Sequence, residues 1–385
     1  MINEILSSLS ALPHRYSTSS NEHRASKYLA EKLAELKIEV ERAPFVAPTT
    51  YSWIYVILYM GFVLGVAIGF SHPWPGLFFV LASAVLFVGE QTTRYCPLER
   101  WVPGGLSHNL IGHIPAREKN GNTLILVAHY DTSKTSLTFH PRLVAGLRRA
   151  YLLSLLMIAL IILGSIAAAV APAATARIIS EVMFAPAAYI LFTALALVER
   201  EIRGQPVNGA ADNASGVAVV MELAKRIKEQ NGLRHWKVIV LLTGSEEVGM
   251  AGMSRFLAQN EKTLDRRRTV FLNFDNIGAG QLAYITREGM LYSLPADPAM
   301  IAIAQDLAAS DPRFASVTGR PFTALTLDTL VPRARGYPVL SFMGLNEQGI
   351  PQPWHWHNDT LENLDRNLVQ FAAEFGWEFV KRLEG

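Results

Sequence analysis

Histidine and acidic side chains recur in this sequence where apolar runs end, at positions where a strand would pass into a loop. Taken singly, each has an ordinary explanation, such as a helix N-cap or a solvated turn. Taken together, they supply the mixed nitrogen and oxygen ligands that zinc accepts in proteins. The residues are His129 after TLILVA, Asp212 in GAADNASG, Glu246 and Glu247 after WKVIVLLT, Asp275 after VFLNF, and His355 in WHWHNDT.

The number of these groups suffices for one metal ion or for two. Two histidines and three carboxylates make five candidate ligands, so one carboxylate must bridge if two ions are held. A second glutamate beside a ligating glutamate provides the base that metal-dependent hydrolysis needs, and the pair Glu246-Glu247 offers this arrangement. Asp131 follows His129 by two residues, where a carboxylate can orient a metal-bound imidazole.

The elements that must position these groups are typical of an α/β fold. Apolar runs at 123–128, 236–243 and 270–274 predict buried strands, and amphipathic stretches between such runs predict helices. Strands that alternate with helices favour a mostly parallel central sheet flanked by helices. Because ligand sites in such sheets form beyond the carboxyl ends of the strands, we expect these side chains to meet at one edge.

Five motifs resemble those of the co-catalytic zinc aminopeptidases of metallopeptidase family 28. They occur in the family's order and on the expected elements, and the opening helix NEHRASKYLAEKL is also similar. The resemblance covers roughly residues 20–45 and 108–383, with one interruption. The motifs are AHYDTS, GAADNASG, TGSEEVG, NFDNIG and HWHNDTLENLD.

The resemblance implies a role for each candidate residue. The implied ligands of the two zinc ions are His129 and Asp275 for one ion, Glu247 and His355 for the other, and Asp212 as the bridge. Glu246 is implied as the general base and Asp131 as the residue that orients His129. The family's last histidine lies four residues before the Asp of an Asp-Thr pair, which selects His355, and His357 stays open as an alternative. The segment 326–328 resembles the family's Ser-Asp-His stretch but lacks its histidine.

The reaction implied by the resemblance is hydrolysis of a peptide bond by a hydroxide bound to two zinc ions. The resemblance also implies that a substrate with a free N-terminus docks at the metals, which would make the protein an aminopeptidase. Two alternatives stay open: a glutaminyl cyclase-like acyltransferase with one zinc, and a receptor or scaffold with a peptidase-like domain but no catalysis. Residues 213–216 (NASG) favour the peptidase over the cyclase, and the complete ligand set favours an enzyme over a scaffold.

Two stretches with almost no charge indicate membrane segments. Of the 385 residues only 18% are charged, against about 25% in soluble domains. The 47 residues between Arg42 and Glu90 carry no charge, and 150–199 holds only Arg177, Glu181 and Glu199. The four apolar runs within these stretches predict four transmembrane helices in two hairpins, with buried core helices as the alternative. The remaining composition is that of a soluble domain, which argues against an all-membrane transporter.

The hairpins divide one predicted catalytic domain into three pieces. The predicted boundaries are 1–45, 93–149 and 200–385 for the peptidase domain, 46–92 for the first transmembrane hairpin and 150–199 for the second. Basic residues flank the hairpins on the side of these pieces, which places the peptidase domain in the cytoplasm by the positive-inside rule. These residues are Arg42, Arg94, Arg100, Arg142, Arg148, Arg149, Arg200 and Arg203.

The expected partners are therefore a peptide and the lipid bilayer. Nucleic acid is not expected, because 35 basic and 33 acidic residues nearly balance and no basic run contains interleaved aromatics. The single Cys96 excludes an internal disulfide. The second hairpin lies between Asp131 and Asp212, and two interpretations stay open: it brings the active site close to the bilayer for membrane-delivered peptides, or it is a plain anchor.

Overall fold

The computed structural model describes residues 1–93, 97–118 and 121–385. Arg94 and Cys96, which entered the sequence analysis, lie outside the described residues. The chain divides into two compact units. We call residues 1–49, 104–135 and 205–385 the sheet unit, and residues 50–103 and 136–204 the helical unit.

The sheet unit contains nine strands among the described residues. They are β1 (Glu39–Pro48), β2 (Gly104–Ile114), β3 (Asn122–His129), β4 (Trp236–Thr243), β5 (Thr269–Phe274), β6 (Gln281–Glu288), β7 (Leu294–Pro295), β8 (Thr318–Phe322) and β9 (Val339–Leu345). Their order is β1-β2-β4-β3-β5-β9-β6-β7, with β8 beside β6. The predicted α/β fold with a central sheet is confirmed. The centre, β4-β3-β5-β9, is parallel, whereas the pairs β1-β2, β2-β4, β6-β9 and β6-β7 are antiparallel, so the whole sheet is mixed.

The described residues also form eleven α-helices. They are α1 (Ile2–Ser10), α2 (Ser20–Glu35), α3 (Ser52–Gly69), α4 (Pro73–Gln91), α5 (Leu147–Val170), α6 (Ala173–Arg203), α7 (Ser215–Glu229), α8 (Ala251–Asn260), α9 (Pro298–Ser310), α10 (Leu330–Ala334) and α11 (Arg366–Glu384). The helical unit consists mainly of α3 to α6, and the other helices belong to the sheet unit.

Strand alternation gives the sheet unit a hydrophobic core on each face. On β3, Leu124 and Leu126 belong to one core, and Ile125 and Val127 belong to the other, because successive strand residues point to opposite faces. The first core is completed by residues of α1, α2, α7, α9 and α11, and the second by residues of α8 and α10. The central strands are therefore covered on both faces, which explains their continuous apolar sequences.

The chain enters and leaves the second inserted segment through a short antiparallel pairing within the sheet unit. Thr135 N donates to Gln205 O at 2.9 Å, and Val207 N donates to Ser133 O at 3.1 Å. Lys134 and Pro206 form the bridge between these two bonds. Residues 133–135 and 205–207 therefore close the base of the insertion with backbone hydrogen bonds.

Four helical segments among the described residues are long and apolar enough to cross a membrane. They are Ser52–Gly69, Pro73–Gln91, Val144–Val170 and Ala173–Arg203. Large apolar side chains on them are exposed, for example Phe192 at 68% and Leu163 at 65%. Length and composition thus agree with the four predicted spans.

An aromatic cluster behind the carboxyl ends of the strands gives the first testable prediction. Phe342 on β9 is fully buried against Phe274, Phe375 and Phe379, with ring centroids 5.3 to 5.6 Å away. We expect Phe342→Ala to lower the free energy of unfolding by about 3–5 kcal/mol, because it leaves a cavity in a packed core. Urea unfolding followed by circular dichroism measures this change. The half-exposed Tyr292 is the control, and an equal loss in Tyr292→Ala contradicts the assignment of Phe342 to the core.

Candidate metal centre

The five predicted ligands come together at the carboxyl edge of the parallel strands. His129 is the last residue of β3, and Asp275 directly follows β5. Glu247 follows β4 by four residues. Asp212 lies in an irregular turn that precedes α7, and His355 lies in the loop between β9 and α11. All five side chains are buried. His357, the alternative to His355, is exposed.

These side chains form two groups that share Asp212. In the first group His129 Nε2 lies 3.1 Å from Asp212 Oδ1 and 3.5 Å from Asp275 Oδ1. In the second group His355 Nε2 lies 3.0 Å from Asp212 Oδ2 and 3.0 Å from Glu247 Oε1. Each oxygen of Asp212 therefore faces a different histidine. Both groups have the composition and spacing of residues that could hold a metal ion.

The distances within the two groups fit metal binding. A tetrahedral ion with bonds of about 2.0 Å to nitrogen and oxygen separates its ligand atoms by ~3.3 Å, close to the 3.0 to 3.5 Å found between the ring nitrogens and the carboxylate oxygens. Glu247 Oε1 is also buried and, although it lies 3.0 Å from His355 Nε2, it forms no well-aligned hydrogen bond among the described residues. A buried carboxylate oxygen in that position requires a cation or a proton donor.

Asp131 holds the backbone of the two glutamates as well as facing the first histidine. Its Oδ1 accepts a hydrogen bond from Glu246 N at 2.9 Å, and its Oδ2 accepts one from Glu247 N at 3.1 Å. Oδ1 also lies 3.5 Å from Nδ1 of His129. One buried carboxylate therefore contacts β3's last residue and the loop after β4, and the sequence analysis had predicted only the first of these contacts.

Two further carboxylates hold the ligand loops, and sequence reasoning missed their roles. Glu22 Oε1 accepts from Ser245 N at 3.1 Å, and Asp359 accepts from the backbone N–H groups of Ala211 at 2.6 Å and Asp212 at 3.2 Å. Glu22 also belongs to the N-terminal cap of α2, where its N–H donates to Ser19 Oγ and its Oε2 accepts from Thr18 N. A glutamate three residues after Ser19 is an ordinary capping-box pattern, which conceals its second role. Asp359 offered a signal in the Asp-Thr pair of its motif.

Arg15 is a third residue that sequence reasoning missed. Its guanidinium is fully buried and donates hydrogen bonds of 2.7 Å each to the backbone carbonyls of Tyr130, Asn208 and Gly209. Burial lowers the pKa of Arg15 to about 10, although Asp359 and other acidic groups nearby act in the opposite direction. The side chain thus stays cationic and joins the segment after β3 to the loop that carries Asp212.

The electrostatics of the centre keep the shared carboxylate ionised. Burial would raise the pKa of Asp212, but hydrogen bonds to His129 and His355 outweigh it and hold the pKa well below its usual range. Glu246 behaves in the opposite way. Burial raises its pKa well above the usual range despite the attraction of His129, and Asp328 adds to the rise. Glu246 is therefore suited to hold a proton.

An apolar wall borders the centre on the side of β8 and β9. Leu327, whose segment departs from the family pattern, is part of it. The next residue, Asp328, is buried and accepts from Thr243 Oγ1 at 2.5 Å, which attaches the wall to the end of β4. The residues of the wall are Phe322, Leu325, Thr326, Leu327, Met343 and Trp354.

Solved structures with the same fold include two kinds of enzyme. A zinc aminopeptidase from Bacillus subtilis, BSAP, aligns with a TM-score of 0.57 at 14% identity, over 99% of this chain and 94% of its own. LapB from Legionella pneumophila aligns with a TM-score of 0.58 at 12% identity, over 100% of this chain and 71% of its own. A glutaminyl cyclase from an Acidobacteriales bacterium aligns with a TM-score of 0.58 at 14% identity, over 100% of this chain and 93% of its own. At these identities the likeness shows the fold alone.

The sequence was also compared with curated proteins and with family models. No curated protein sequence matches the chain. Residues 193–380 match the model of the family described as Peptidase family M28, and this range contains Asp212, Glu246, Glu247, Asp275 and His355. This match, over just under half of the chain, and the fold shared with a zinc aminopeptidase support peptidase family M28.

Proposed function

We propose that this protein is a membrane-anchored aminopeptidase that uses two zinc ions. The observation that carries the proposal is the position of Asp212, whose two oxygens face His129 and His355 at 3.1 and 3.0 Å. This arrangement suits a carboxylate that bridges two ions. His129 and Asp275 would then hold one zinc ion, and Glu247 and His355 the other.

Glu246 acts as the general base in this proposal. Bound zinc supplies a Lewis acid that polarises the scissile carbonyl and lowers the pKa of water. Glu246 accepts the proton of the attacking water and later donates it to the leaving amine. Its raised pKa favours the protonated form that Glu246 takes between these two proton transfers. The hydrogen bond from its N–H to Asp131 fixes the backbone from which the carboxylate projects.

The charge of the centre supports a substrate with a free N-terminus. An α-amino group is cationic at neutral pH, and the centre collects five acidic side chains within the sheet unit: Asp131, Asp212, Glu246, Glu247 and Asp275. Two bound zinc ions would carry four positive charges, so these five acids leave the loaded centre without a surplus of positive charge that would repel an ammonium group. The apolar wall beside it offers a surface for the side chain of the N-terminal residue.

The four apolar helices anchor the enzyme in this proposal. The two hairpins within 46–92 and 150–199 cross the membrane, and the pieces 1–45, 93–149 and 200–385 form the peptidase domain on the cytoplasmic side. The length and hydropathy of the helices support the spans, and the excess of arginine at their flanks supports the orientation.

An assay of detergent-purified protein tests the activity. We expect it to release N-terminal residues from a library of free peptides, to stop after treatment with a chelator, and to resume when zinc is added. N-acetylated copies of the same peptides are the control and should stay intact. Formation of pyroglutamate from N-terminal glutamine, with one zinc ion per chain, identifies a glutaminyl cyclase instead. Full function in cells of a Glu246→Gln variant favours a scaffold.

Replacing the proposed base should separate catalysis from metal binding. We expect Glu246→Gln to lower kcat by about 10²–10⁴-fold, the usual contribution of general acid–base catalysis. Its zinc content should match that of the wild type, because Glu246 is not among the ligands. Peptide hydrolysis and metal analysis on one preparation measure both quantities. Glu181→Gln, at an exposed position of α6, is the control, and an unchanged kcat in Glu246→Gln refutes the assignment.

The two histidines of the HWH segment form a matched pair for a third test. We expect His355→Ala to lose at least one zinc ion per chain and most of the activity, because His355 Nε2 faces both Asp212 and Glu247. His357→Ala should keep both, since His357 is exposed. Zinc stoichiometry measured by mass spectrometry of the metal distinguishes them. The reverse result would make His357 the ligand.

A further inference from the structure

The chain enters and leaves the helical unit through helix termini that lie at one end of it. Arg200 Nη1 near the end of α6 donates to Thr50 Oγ1 at 3.0 Å and to Ser52 Oγ at 3.1 Å, so α3 begins where α6 ends. Short turns join α3 to α4 and α5 to α6. The end of α4 and the start of α5 therefore lie at this same end, which we call the junction end.

The junction end is cationic on its surface. Four arginines at or near these helix termini are exposed: Arg100, Arg142, Arg149 and Arg203. Within residues 1–93, 97–118 and 121–385, none of the four forms an ion pair with a carboxylate. The acidic residues near these termini are not exposed: Glu90, Glu99 and Glu199 are half-buried, and Glu201 has a buried side chain that pairs with Arg200 at 2.9 Å.

The opposite end of the helical unit has no such surplus among the described residues. Its exposed Arg177 lies 3.3 Å from the carboxylate of Glu181, one helical turn further along α6. This pair is neutral overall. The two ends of the helical unit therefore differ in the positive charge exposed on their surfaces, and not only in the number of arginines in their sequences.

Large apolar side chains accompany the arginines at the junction end. Trp101, which follows Arg100, is 82% exposed. Leu143, which follows Arg142, is 57% exposed, and Ile202, which precedes Arg203, is 74% exposed. Three separate segments thus present an arginine next to an exposed apolar side chain. In water this exposure is unfavourable. At a membrane interface the apolar group enters the acyl boundary while the cation stays at the headgroups.

We propose that these residues form a binding surface for the headgroups of anionic phospholipids. The interfacial belt consists of Arg100, Trp101, Arg142, Leu143, Arg149, Ile202 and Arg203. A guanidinium binds phosphate through paired hydrogen bonds, and the unpaired charge of four arginines favours an anionic over a zwitterionic headgroup. The inference rests on the proposed membrane anchoring and goes beyond it, since it names the lipid class.

The lipid composition around the protein tests the belt. The full-length protein is reconstituted in vesicles of phosphatidylcholine with one tenth phosphatidylglycerol and extracted with its surrounding lipid by a styrene–maleic acid copolymer. We expect phosphatidylglycerol to be enriched about threefold or more over the bulk membrane, since each basic residue near the surface favours anionic lipid by up to about fivefold. The enrichment should shrink at high salt.

A variant with Arg100, Arg142, Arg149 and Arg203 all replaced by Gln should lose the enrichment. Arg177→Gln is the matched control at the opposite end and should keep it. Equal enrichment in the fourfold variant and the wild type overturns the proposal, as does a wild-type ratio equal to that of the bulk lipid. Release of the bound lipid by soluble glycerol phosphate indicates a phosphate site and also overturns it.

Two further measurements separate this outcome from a failure of the proposed function. Peptide hydrolysis by the fourfold variant should equal that of the wild type, because none of the four arginines belongs to the metal centre. Extraction of the wild type from membranes by alkaline carbonate would contradict the membrane anchoring itself. Resistance to carbonate without enrichment of phosphatidylglycerol refutes the belt alone.

Discussion

The candidate metal centre depends on hydrogen bonds that backbone N–H groups donate to buried carboxylates. Asp131 holds the N–H groups of Glu246 and Glu247, and Glu22 holds that of Ser245, the residue before them. Three successive N–H groups after β4 are therefore bound by two carboxylates from other parts of the chain. Hydrogen bonds to charged groups contribute about 1.5–3 kcal/mol each, which offsets part of the cost of burying the acids. The result is a loop whose backbone is held by hydrogen bonds to carboxylates of the protein itself.

Burying so many acidic groups in one place requires a compensating charge, and Arg15 supplies part of it. Its guanidinium contacts four backbone carbonyls and no carboxylate at hydrogen-bond distance among the described residues. It therefore lowers the electrostatic potential energy of the acids without neutralising any one of them. Asp212 and Asp131 keep their oxygens for the ring nitrogens and N–H groups that face them. A direct ion pair to either carboxylate would have taken up an oxygen that the centre uses.

The sequence predicts the candidate metal ligands better than the residues that position them. His129 and Asp275 could be predicted because each ends a buried strand, and parallel strands bring such ends together. Glu22 and Arg15 could not, because their partners Ser245 and Gly209 lie 223 and 194 residues away and no local pattern records the contact. The same limit applies to the fold. The parallel centre follows from its apolar runs, whereas β6 was not predicted, because this strand depends on pairing with β8 and β9.

The backbone pairing at 133–135 and 205–207 has a consequence for how such a chain can vary. Because these residues are hydrogen bonded to each other, the chain between them forms a closed loop. Its length affects the stability of the sheet unit only through the entropy of closing that loop. The entropy of closing a loop grows with the logarithm of its length, so expanding a connection of a few residues to the length of a membrane hairpin costs only about 2 kcal/mol. A helical hairpin that packs on its own offsets this cost. Segments of very different length can therefore occupy this position without altering the spacing of His129 and Asp212.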